Sequence, residues 1–411
     1  MRVVHLSNGD ATWGAFRATY RVHKALQEAG VDSELWVDSK STDDPSVFVP
    51  RSKLKRKLRA WLYRRIRNWA HSKGYDGIVS PGWVPSGFHR RIQSSRPDVT
   101  HLHWVNHDML SLKDIGKIPG PVVWTLHDMW AFSGSDHYPD DERWKTGYET
   151  PVSTFDFDRW VWQRKKTAWV TPRVVIAPSS WLAGCARQSE LFRNWRVEVI
   201  PNPIDCNAWR PVDAAEARAK FGIHSAKQVV LFGAVMSTTD SRKGYDLLVD
   251  ALARLKAKTD TTELVVFGSE DGHIEYINGY PVRSVGIVSD DSVLQQLYSA
   301  ADVMVVPSRL EAFGQTASEA MACGTPVVAF DNSGLADVVA HNETGYLARA
   351  FATSDLAVGI DMILSLAAAK RDGSDTESYT NIATASRNRA VDLFSCPVVA
   401  AKIQALYEDV L

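Results

Sequence analysis

The sequence predicts an α/β protein made of two doubly wound parallel sheets with helices on both faces. Short apolar stretches typical of buried strands alternate with segments whose apolar residues recur at helical spacing. The alternation breaks at residues 201–212, which carry three prolines, and restarts at residue 228. A chain of 411 residues is also long for a single hydrophobic core. These observations together favour two domains that join near residues 201–212.

The first half begins with a strand at residues 2–7 and a helix at residues 14–30, where Gly30 is a typical helix stop. Four further apolar stretches predict strands at residues 31–38, 99–104, 121–128 and 173–179. In doubly wound folds ligands bind beyond the carboxyl ends of the strands, so the residues that end these stretches are candidates for function.

The second half of the chain repeats the alternation of predicted strands and helices. Strands are predicted at residues 228–235, 262–269, 302–308 and 325–330. Helices are predicted at residues 244–258, 292–301 and 314–323. Two such sheets that face each other form a cleft between domains, and such clefts commonly bind small molecules.

Composition narrows the cellular setting and excludes several classes of protein. The formal net charge is −1, so global charge does not favour a polyanion partner. The four cysteines are scattered without a Cys-x-x-Cys pair, which argues against zinc ribbons and thioredoxin-like sites and fits a reducing cytosol. The N-terminal apolar run is too short for a signal peptide, and no run of about 18 apolar residues exists. We therefore predict a soluble cytoplasmic protein.

Two glutamates, Glu311 and Glu319, stand with seven residues between them after a predicted strand. On a helix this spacing separates the carboxylates by about 12 Å. A retaining glycosidase needs its two carboxylates about 5 Å apart, so a two-carboxylate hydrolase is disfavoured. The two glutamates are therefore expected to have separate roles.

The segment between the glutamates suits a phosphate. A helix is predicted to begin near Gln315, and a helix N-terminus carries free N–H groups with a partial positive charge. Gly314 lets a ligand approach the backbone closely. A carboxylate can accept hydrogen bonds from both hydroxyls of a sugar diol. Together these features suit a molecule with a sugar at each end of a diphosphate, which is a nucleotide sugar.

The stretch EAFGQTASEAMACGTPVVAF, from Glu311 to Phe330, resembles the glutamate–seven–glutamate motif of the retaining glycosyltransferases of family 4, which have the GT-B fold. The resemblance extends to VVIAPSSWLA, VIPNPID, RKGYDLLVDAL, NSGLADVV and NETGYLA. The stretches HLHWVN and TLHDMW resemble the bacterial branch that makes exopolysaccharide and lipopolysaccharide. The fold that this resemblance implies has two Rossmann-like domains facing across a cleft. Residues 1–204 would bind the acceptor, with the C-terminal helix (395–411) returning to that domain, and residues 205–394 would bind the nucleotide sugar.

The resemblance assigns different parts of the donor to the two glutamates. Glu319 would hold the ribose hydroxyls, and Glu311 would contact the donor sugar. Residues at the sugar hydroxyls and the phosphate would be Phe313, Gly314, Gln315 and Thr316. The alternative for Glu319 is an ordinary surface role, in which it caps or solvates a helix.

Arg242 and Lys243 precede a predicted helix and provide two adjacent cations. A leaving diphosphate gains negative charge in the transition state, and paired cations stabilise that charge without a metal. Lys243 matches the Lys-Gly pair of the family, and we assign Arg242 the same role. The alternative is a solvated basic pair.

Four further residues complete the donor site that the resemblance implies. The backbone of Ile287 and Val288 would recognise the nucleotide base, and Gly268 would allow a close approach. Gly14 would lie near the donor phosphate, although a single glycine is a weak signal and a plain turn is the alternative.

The acceptor side is predicted from polar residues at the ends of strands. His127 resembles the family's acceptor-side histidine, and His103 and Asp128 are predicted to bind the acceptor with it. The alternative for the histidines is a polar loop without chemistry. A zinc site is conceivable from His103, His107, His127 and Asp128, but the spacing matches no zinc signature and we predict no metal.

Residues 51–69 contain nine lysines and arginines and no acid. Six apolar residues recur on one helical face: Leu54, Leu58, Trp61, Leu62, Ile66 and Trp69. A basic amphipathic helix with tryptophans is typical of a membrane-surface element. The predicted membrane-surface residues are Lys53, Lys55, Arg56, Lys57, Arg59, Trp61, Arg64 and Arg65. The alternatives are nucleic acid, for which no recognised module is present, and a helix packed on the first domain with a solvated basic face.

Together these features predict a retaining, metal-independent hexosyltransferase that requires no cofactor. The catalytic residues would be His127, Glu311, Arg242 and Lys243. A sugar would move from a UDP- or GDP-linked donor to a glycan or polyprenyl-diphosphate-linked oligosaccharide in bacterial surface polysaccharide synthesis. The protein would lie on an anionic membrane surface at the inner face of the plasma membrane and would bind no nucleic acid. The rivals are a nucleotide-sugar epimerase of the same fold and a non-catalytic, membrane-attached binding protein.

Overall fold

The structure is a computed structural model, and it describes most of the chain, namely residues 1–50, 53–72, 74–75, 78–269 and 275–411. The chain divides into two compact units. The first unit comprises Met1–Pro201 and Val399–Leu411, and the second comprises Asn202–Val398. In the described residues each unit contains one seven-stranded sheet, and the predicted α/β class is confirmed.

The sheet of the first unit is parallel throughout its described strands. Its strands are β1 (Arg2–Gly9), β2 (Asp32–Ser39), β3 (Val47–Phe48), β4 (Val99–Leu102), β5 (Val122–Thr125), β6 (Val174–Ala177) and β7 (Arg196–Val199). They lie in the order β3-β2-β1-β4-β5-β6-β7. The strand order reverses between β1 and β4, and such a switch point is where doubly wound sheets open a crevice for ligands.

Helices flank this sheet because their apolar residues recur at the helical period. They are α1 (Gly14–Glu28), α2 (Lys53–His71), α3 (Phe88–Ser95), α4 (Leu112–Gly116), α5 (Phe157–Ala168) and α6 (Ser180–Gln188). In α1, for example, Phe16, Val22 and Leu26 are buried on one face. The chain leaves α1 through Gly30, whose φ of 83° belongs to the left-handed region that favours glycine.

The second unit repeats the plan with its own sheet. Its strands are β8 (Gln228–Gly233), β9 (Thr262–Phe267), β10 (Tyr276–Ile277), β11 (Tyr280–Gly286), β12 (Val303–Val306), β13 (Val327–Phe330) and β14 (Gly345–Ala348). Their order is β10-β11-β9-β8-β12-β13-β14, and among the described strands β10 pairs antiparallel with β11 while the other pairs are parallel. Here the order reverses between β8 and β12, so the carboxyl ends of these two strands border the expected crevice.

The helices of the second half are α7 (Ala214–Lys220), α8 (Tyr245–Leu252), α9 (Asp291–Ala300), α10 (Gln315–Ala322), α11 (Leu335–Val338), α12 (Thr353–Asp372), α13 (Glu377–Phe394) and α14 (Cys396–Val410). Helix α10 confirms the helix predicted at residues 314–323. The prediction that a helix spans residues 244–258 is wrong at its C-terminal end, because α8 ends at Leu252. Beyond it, the amides of Lys256 and Ala257 donate to the Asp361 carboxylate instead of continuing the helix.

The last helix, α14, contributes its final turns to the first unit. Tyr407 is fully buried there, and its hydroxyl lies 2.5 Å from Nδ1 of His101. Among the described helices none is long and apolar enough to cross a membrane.

Candidate functional site

Lys243 and Glu311 meet beyond the carboxyl end of β12. The Lys243 Nζ donates to Oε1 of Glu311 at 2.6 Å, and the Ser308 hydroxyl donates to the same oxygen at 3.1 Å. Lys243 ends a 3-10 helix, and the next residue, Gly244, has a φ of 69°. A Cβ on Gly244 would lie 1.9 Å from the carbonyl oxygen of Pro307. Only glycine therefore allows the backbone approach that brings Lys243 to the end of this strand.

Helix α10 begins directly after this pair, at the point where the chain turns through Gly314. The φ of Gly314 is 105°, and a Cβ there would lie 2.6 Å from a methyl group of Leu335, so both the backbone and the packing require glycine. The N-cap residue of α10 is Gly314, which has no side chain to form a cap. Gln315 and Thr316 in the first turn of the helix are half-buried. A helix N-terminus offers backbone N–H groups and a partial positive charge to an anion.

Glu319 lies one turn further along α10 and is only 4% exposed. Its Oε2 accepts a hydrogen bond from the Tyr298 hydroxyl at 3.0 Å. Burying a carboxylate costs free energy unless hydrogen bonds compensate, so a Glu at this position has a specific partner rather than a solvent shell. The alternative that Glu319 is an ordinary surface residue is wrong.

The two predicted cations are held by different carboxylates. Arg242 donates from Nη2 and Nε to Asp240, at 2.6 and 3.1 Å, whereas Lys243 pairs with Glu311. A third cation nearby, Arg309, forms a bidentate pair with Asp246 at 2.7 and 2.5 Å. Lys243 is thus the cation that the structure brings together with a predicted site glutamate.

The remaining predicted donor positions are spread along the same sheet edge. Gly268 has a φ of 87°, and a Cβ on it would lie 1.9 Å from the Ala234 carbonyl oxygen, so its close approach is to the neighbouring strand end. Ile287 follows β11 and is 65% exposed, while Val288 packs partly against the core. The Phe313 side chain is buried, which leaves only its backbone for a ligand.

In the first unit, Gly14 is the exposed first residue of α1 and follows the loop after β1. Its predecessor, Trp13, is half exposed. The prediction that Gly14 lies near a phosphate stays a prediction.

Three histidines form a hydrogen-bonded row across the strand ends of the first sheet. Nδ1 of His5, on β1, lies 3.0 Å from Nε2 of His103, which follows β4. Nδ1 of His103 lies 3.3 Å from Nε2 of His127, which follows β5. His5 and His103 are buried, whereas His127 is half-buried. Sequence reasoning identified His103 and His127 but missed His5, because its apolar neighbours indicate only a buried strand.

Burial keeps the imidazoles of this row neutral near pH 7. Desolvation lowers the pKa of His127 to about 4 and lowers the pKa values of His5 and His103 well below their ordinary range. Burial also lowers the pKa of His101, whose ring stacks on His103 with centroids 4.2 Å apart, to about 3.

His5, His101 and His103 lie close enough together to be compared with a metal site. One nitrogen each from His5, His101 and His103 lies within 4.8 Å of the others. Both His101 nitrogens, however, are already hydrogen-bonded, to Tyr407 at 2.5 Å and Thr125 at 2.7 Å. Stacked rings also do not radiate from a common centre as metal ligands do. The donor set does not fit a metal ion.

Asp128 is 7% exposed, and protein groups occupy both of its oxygens. Oδ2 accepts from Trp104 Nε1 at 2.7 Å and lies 2.5 Å from His137 Nδ1, and Oδ1 accepts from the Trp130 amide at 2.9 Å. Burial raises the pKa of Asp128, but His137 and these hydrogen bonds lower it below its ordinary value overall. Asp128 therefore holds Trp104 and His137 in place, and its predicted role in acceptor binding stays a prediction.

The hydrogen-bond network extends from Asp128 through His137 to Ser80, since Nε2 of His137 lies 2.9 Å from the Ser80 hydroxyl. Serine, histidine and aspartate in this order resemble a hydrolase triad. Ser80 is 1% exposed, so a substrate cannot reach its hydroxyl. The arrangement is a buried polar network within the first unit.

Helix α2 covers most of the predicted basic segment, and the side chains of Lys53 and Lys55 lie outside the described residues. One stripe of α2 points to solvent: Leu54 is 77% exposed, Leu58 58% and Trp61 49%. Arg65 lies over the Trp61 ring at 5.6 Å. Exposed cations beside this stripe are Lys57, Arg64 and Arg65.

The opposite side of α2 packs on the first unit, which corrects part of the predicted surface. Arg59 is buried and donates to the carbonyl oxygens of Pro85 and Asp108, so its assignment to a membrane surface is wrong. Arg56 is half-buried and donates to the Asp38 carbonyl oxygen. The six apolar residues therefore do not form one face, since Leu62 and Ile66 are half-buried beside the buried Tyr63.

A chain of partly exposed aromatic rings continues from the end of α2. Trp69 meets Phe155 with ring centroids 5.8 Å apart, Phe155 meets Trp160 at 6.4 Å, and Trp160 meets Trp83 at 6.2 Å. Trp83 and Phe155 are 54% and 51% exposed. Sequence reasoning missed Trp83 and Phe155 because each stands alone in an irregular segment.

The two halves of the chain match two families. Residues 13–208 match the family described as Glycosyltransferase Family 4, and residues 213–388 match Glycosyl transferases group 1. Among curated relatives, D-inositol 3-phosphate glycosyltransferase of Segniliparus rotundus is 34% identical over 167 residues, which is 38% of this chain and 36% of that protein. The chain thus spans well under half the length of such relatives in these matches.

Solved structures resemble the whole chain. Sucrose-phosphate synthase from Thermosynechococcus elongatus aligns with a TM-score of 0.68 at 21% identity, covering 100% of this chain and 99% of that chain. HepE of Anabaena in complex with UDP and glucose aligns with a TM-score of 0.67 at 18% identity, covering 100% of both chains. At such low identity these likenesses establish the fold alone, and the fold is GT-B.

Proposed function

We propose that this protein transfers a sugar from a nucleotide diphosphate sugar to a glycan acceptor, since its fold is GT-B and its two halves match two glycosyltransferase families. The observation that carries this proposal is the contact of Lys243 with Glu311 beside the N-terminus of α10. A cation, a carboxylate and the positive end of a helix converge there at the carboxyl edge of the second sheet, where doubly wound folds bind ligands.

Each part of the donor has a matching group in the second unit. The diphosphate lies at the N-terminus of α10, where the backbone N–H groups face it. Glu319, held by Tyr298, accepts hydrogen bonds from the two ribose hydroxyls. Glu311 contacts the donor sugar, and Lys243 is shared between Glu311 and the phosphate nearest the sugar.

The proposed reaction is retaining and needs no metal. The bond from the sugar C1 to the phosphate oxygen breaks, and a bond from C1 to the acceptor hydroxyl oxygen forms on the same face. The acceptor proton passes to the departing phosphate. Lys243 stabilises the charge that develops on the diphosphate, which is the role a metal ion has in other transferases. In the first unit, His127 contacts the acceptor.

We propose UDP or GDP as the nucleotide and a hexose as the sugar. The structural similarity to HepE, which binds UDP and glucose, supports the UDP choice. The acceptor we propose is a lipid-linked oligosaccharide of bacterial surface polysaccharide synthesis. Similarity to the solved structure of WaaG, a glycosyltransferase of lipopolysaccharide biosynthesis, is consistent with this class of acceptor.

Nucleoside diphosphates are expected to raise the melting temperature of the protein. A ligand that binds only the folded state stabilises it by RT ln(1 + [L]/Kd), which is about 2.7 kcal/mol at a hundredfold excess over Kd. We expect a clear shift with UDP or GDP in a thermal denaturation screen that includes ADP, and a smaller shift in Glu319→Gln. The absence of any shift in a folded sample would contradict the proposed donor site.

We also propose that the exposed stripe of α2 binds an anionic membrane, where a lipid-linked acceptor resides. Leucine and tryptophan side chains beside cations are suited to the lipid interface, and each Lys or Arg near an anionic leaflet contributes about 1 kcal/mol. The rings of Trp83 and Phe155 would extend the same contact.

The protein is expected to float with phosphatidylglycerol-rich vesicles and not with phosphatidylcholine vesicles. Changing Lys57, Arg64 and Arg65 to glutamine should weaken the binding on the order of a hundredfold, since three cations are lost. A matched control changes Lys220, Lys258 and Lys402, which are exposed elsewhere, to glutamine. Equal losses in both triple variants would indicate nonspecific attraction, and unchanged binding in the first would favour a purely structural α2.

A further inference from the structure

We propose that His5 and His103 are positioning residues that fix the proton of His127 on Nδ1, so that His127 offers a hydrogen-bond donor to the substrate. The proposal deepens the proposed function, because it rests on His127 as the group that contacts the acceptor. It concerns a different quantity, however, namely the tautomer of one imidazole, and that quantity can be measured without any transfer assay.

The row has a fixed geometry. It runs from His5 Nδ1 to His103 Nε2 at 3.0 Å and from His103 Nδ1 to His127 Nε2 at 3.3 Å. The strands impose this spacing, since β1 pairs with β4 and β4 pairs with β5 in register. His101 stacks on His103 but takes no part in the row, because Tyr407 and Thr125 occupy its two nitrogens.

Neutral imidazoles in such a row share one direction of donation. Each neutral ring has one N–H and one bare nitrogen. If His103 donates from Nδ1 to His127, its Nε2 is bare and must accept from Nδ1 of His5. If the direction is reversed, His127 donates from Nε2, His103 donates from Nε2, and His5 carries its proton on the far nitrogen. The choice between these two states is therefore made at His5.

His5 decides the direction because its Nε2 is buried and has no hydrogen-bond partner within the described part of the chain. In the reversed state that nitrogen would be an N–H donor with nothing to donate to. Buried N–H groups without partners are rarer in proteins than acceptors that lack a donor. The favoured state therefore leaves Nε2 of His5 bare and places its proton on Nδ1.

The consequence appears at the other end of the row. Nε2 of His127 accepts from His103, so the His127 proton sits on Nδ1. No partner for this Nδ1 is present among the residues that the structure describes, and His127 is the member of the row that is only half-buried. The imidazole thus presents an N–H to a sugar oxygen. It orients and polarises the substrate but does not remove a proton, which agrees with proton transfer to the departing phosphate.

The direct test is the ¹⁵N spectrum of the wild-type protein labelled at histidine. Two-bond ¹H–¹⁵N correlations distinguish an Nδ1–H from an Nε2–H imidazole, and His127→Asn assigns the signal. We expect the Nδ1–H tautomer for His127 and the Nδ1–H tautomer for His5. An Nε2–H tautomer at His127 overturns the proposal, whether or not the protein transfers sugar.

Substituting His127 with asparagine or with glutamine tests the same proposal through the rate of sugar transfer. The amide nitrogen of asparagine occupies the place of Nδ1, and that of glutamine the place of Nε2. His127→Asn is therefore expected to keep at least tenfold more activity than His127→Gln, and the reverse order overturns the proposal. His103→Phe should change the His127 tautomer signal. A His127 signal unchanged in a folded His103→Phe variant would show that the row does not set the tautomer.

Discussion

Replacing Lys243 with methionine is expected to lower the rate of sugar transfer at least about a hundredfold, because removing one group that stabilises developing charge typically costs about 3–4 kcal/mol. Methionine keeps most of the alkyl chain, so the packing beside Gly244 is retained. The Lys243 ammonium lies 2.6 Å from Glu311, and within the described part of the chain no other cation contacts that carboxylate. The measurement is kcat with the nucleotide sugar that the thermal screen identifies.

Arg309→Met is the matched control for this substitution. Arg309 lies in the same loop region, but its guanidinium is held by Asp246 on the surface. An exposed pair of this kind contributes at most about 1 kcal/mol to stability, and we expect near-normal transfer in this variant. If Lys243→Met retains wild-type kcat, or if both variants lose activity equally, Lys243 does not act on the leaving diphosphate.

The sequence is sufficient to predict the strands of both sheets and the helix α10, because local residue patterns mark where these elements begin and end. The strands of both sheets are apolar runs between turn residues. Gly314 and Gly324 mark the two ends of α10 in the sequence. Both glycines have positive φ, so the local signals express a real backbone requirement. Lys243 and Glu311 are each predicted from the sequence as donor-site residues, but their contact with each other is known only from the structure.

Other parts depend on tertiary contacts that no local pattern encodes. Nothing near Tyr298 in the sequence indicates that its hydroxyl meets Glu319. Arg59 has the same local signature as its basic neighbours, yet backbone carbonyl oxygens from two distant loops bury it. His5 acquires its role only when β1 pairs with β4. In each case the partner is many residues away, so the sequence supplies the residue but not the contact.

Lowering the pH from 7.5 to 5.5 is expected to destabilise the first unit by several kcal/mol. Burial lowers the pKa of His23 and His127 to about 4 and that of His101 to about 3, whereas an unfolded chain has histidine pKa values near 6.5. Between about pH 6.5 and pH 4 the unfolded state therefore binds protons that the folded state does not. Stability falls as the pH falls through this window, by about 1.4 kcal/mol per histidine per pH unit.

Tryptophan fluorescence reports this effect selectively, because every tryptophan except Trp209 lies in the first unit. Urea denaturation followed at pH 7.5, 6.5 and 5.5 should show a midpoint that falls steadily below pH 6.5.

The histidines explain where this acid sensitivity resides. The described histidines of the second unit, His224 and His341, are exposed. In the first unit the charge would be forced into a buried cluster, in which the rings of His5, His101 and His103 lie against one another and a proton on one disfavours a proton on the next. The His101→Gln variant should take up about one proton fewer than the wild type when it unfolds. Its urea midpoint should therefore depend less steeply on pH. A midpoint that stays constant from pH 7.5 to 5.5 would mean that these histidines reach water in the folded state, and a neutral hydrogen-bonded row could not then be maintained.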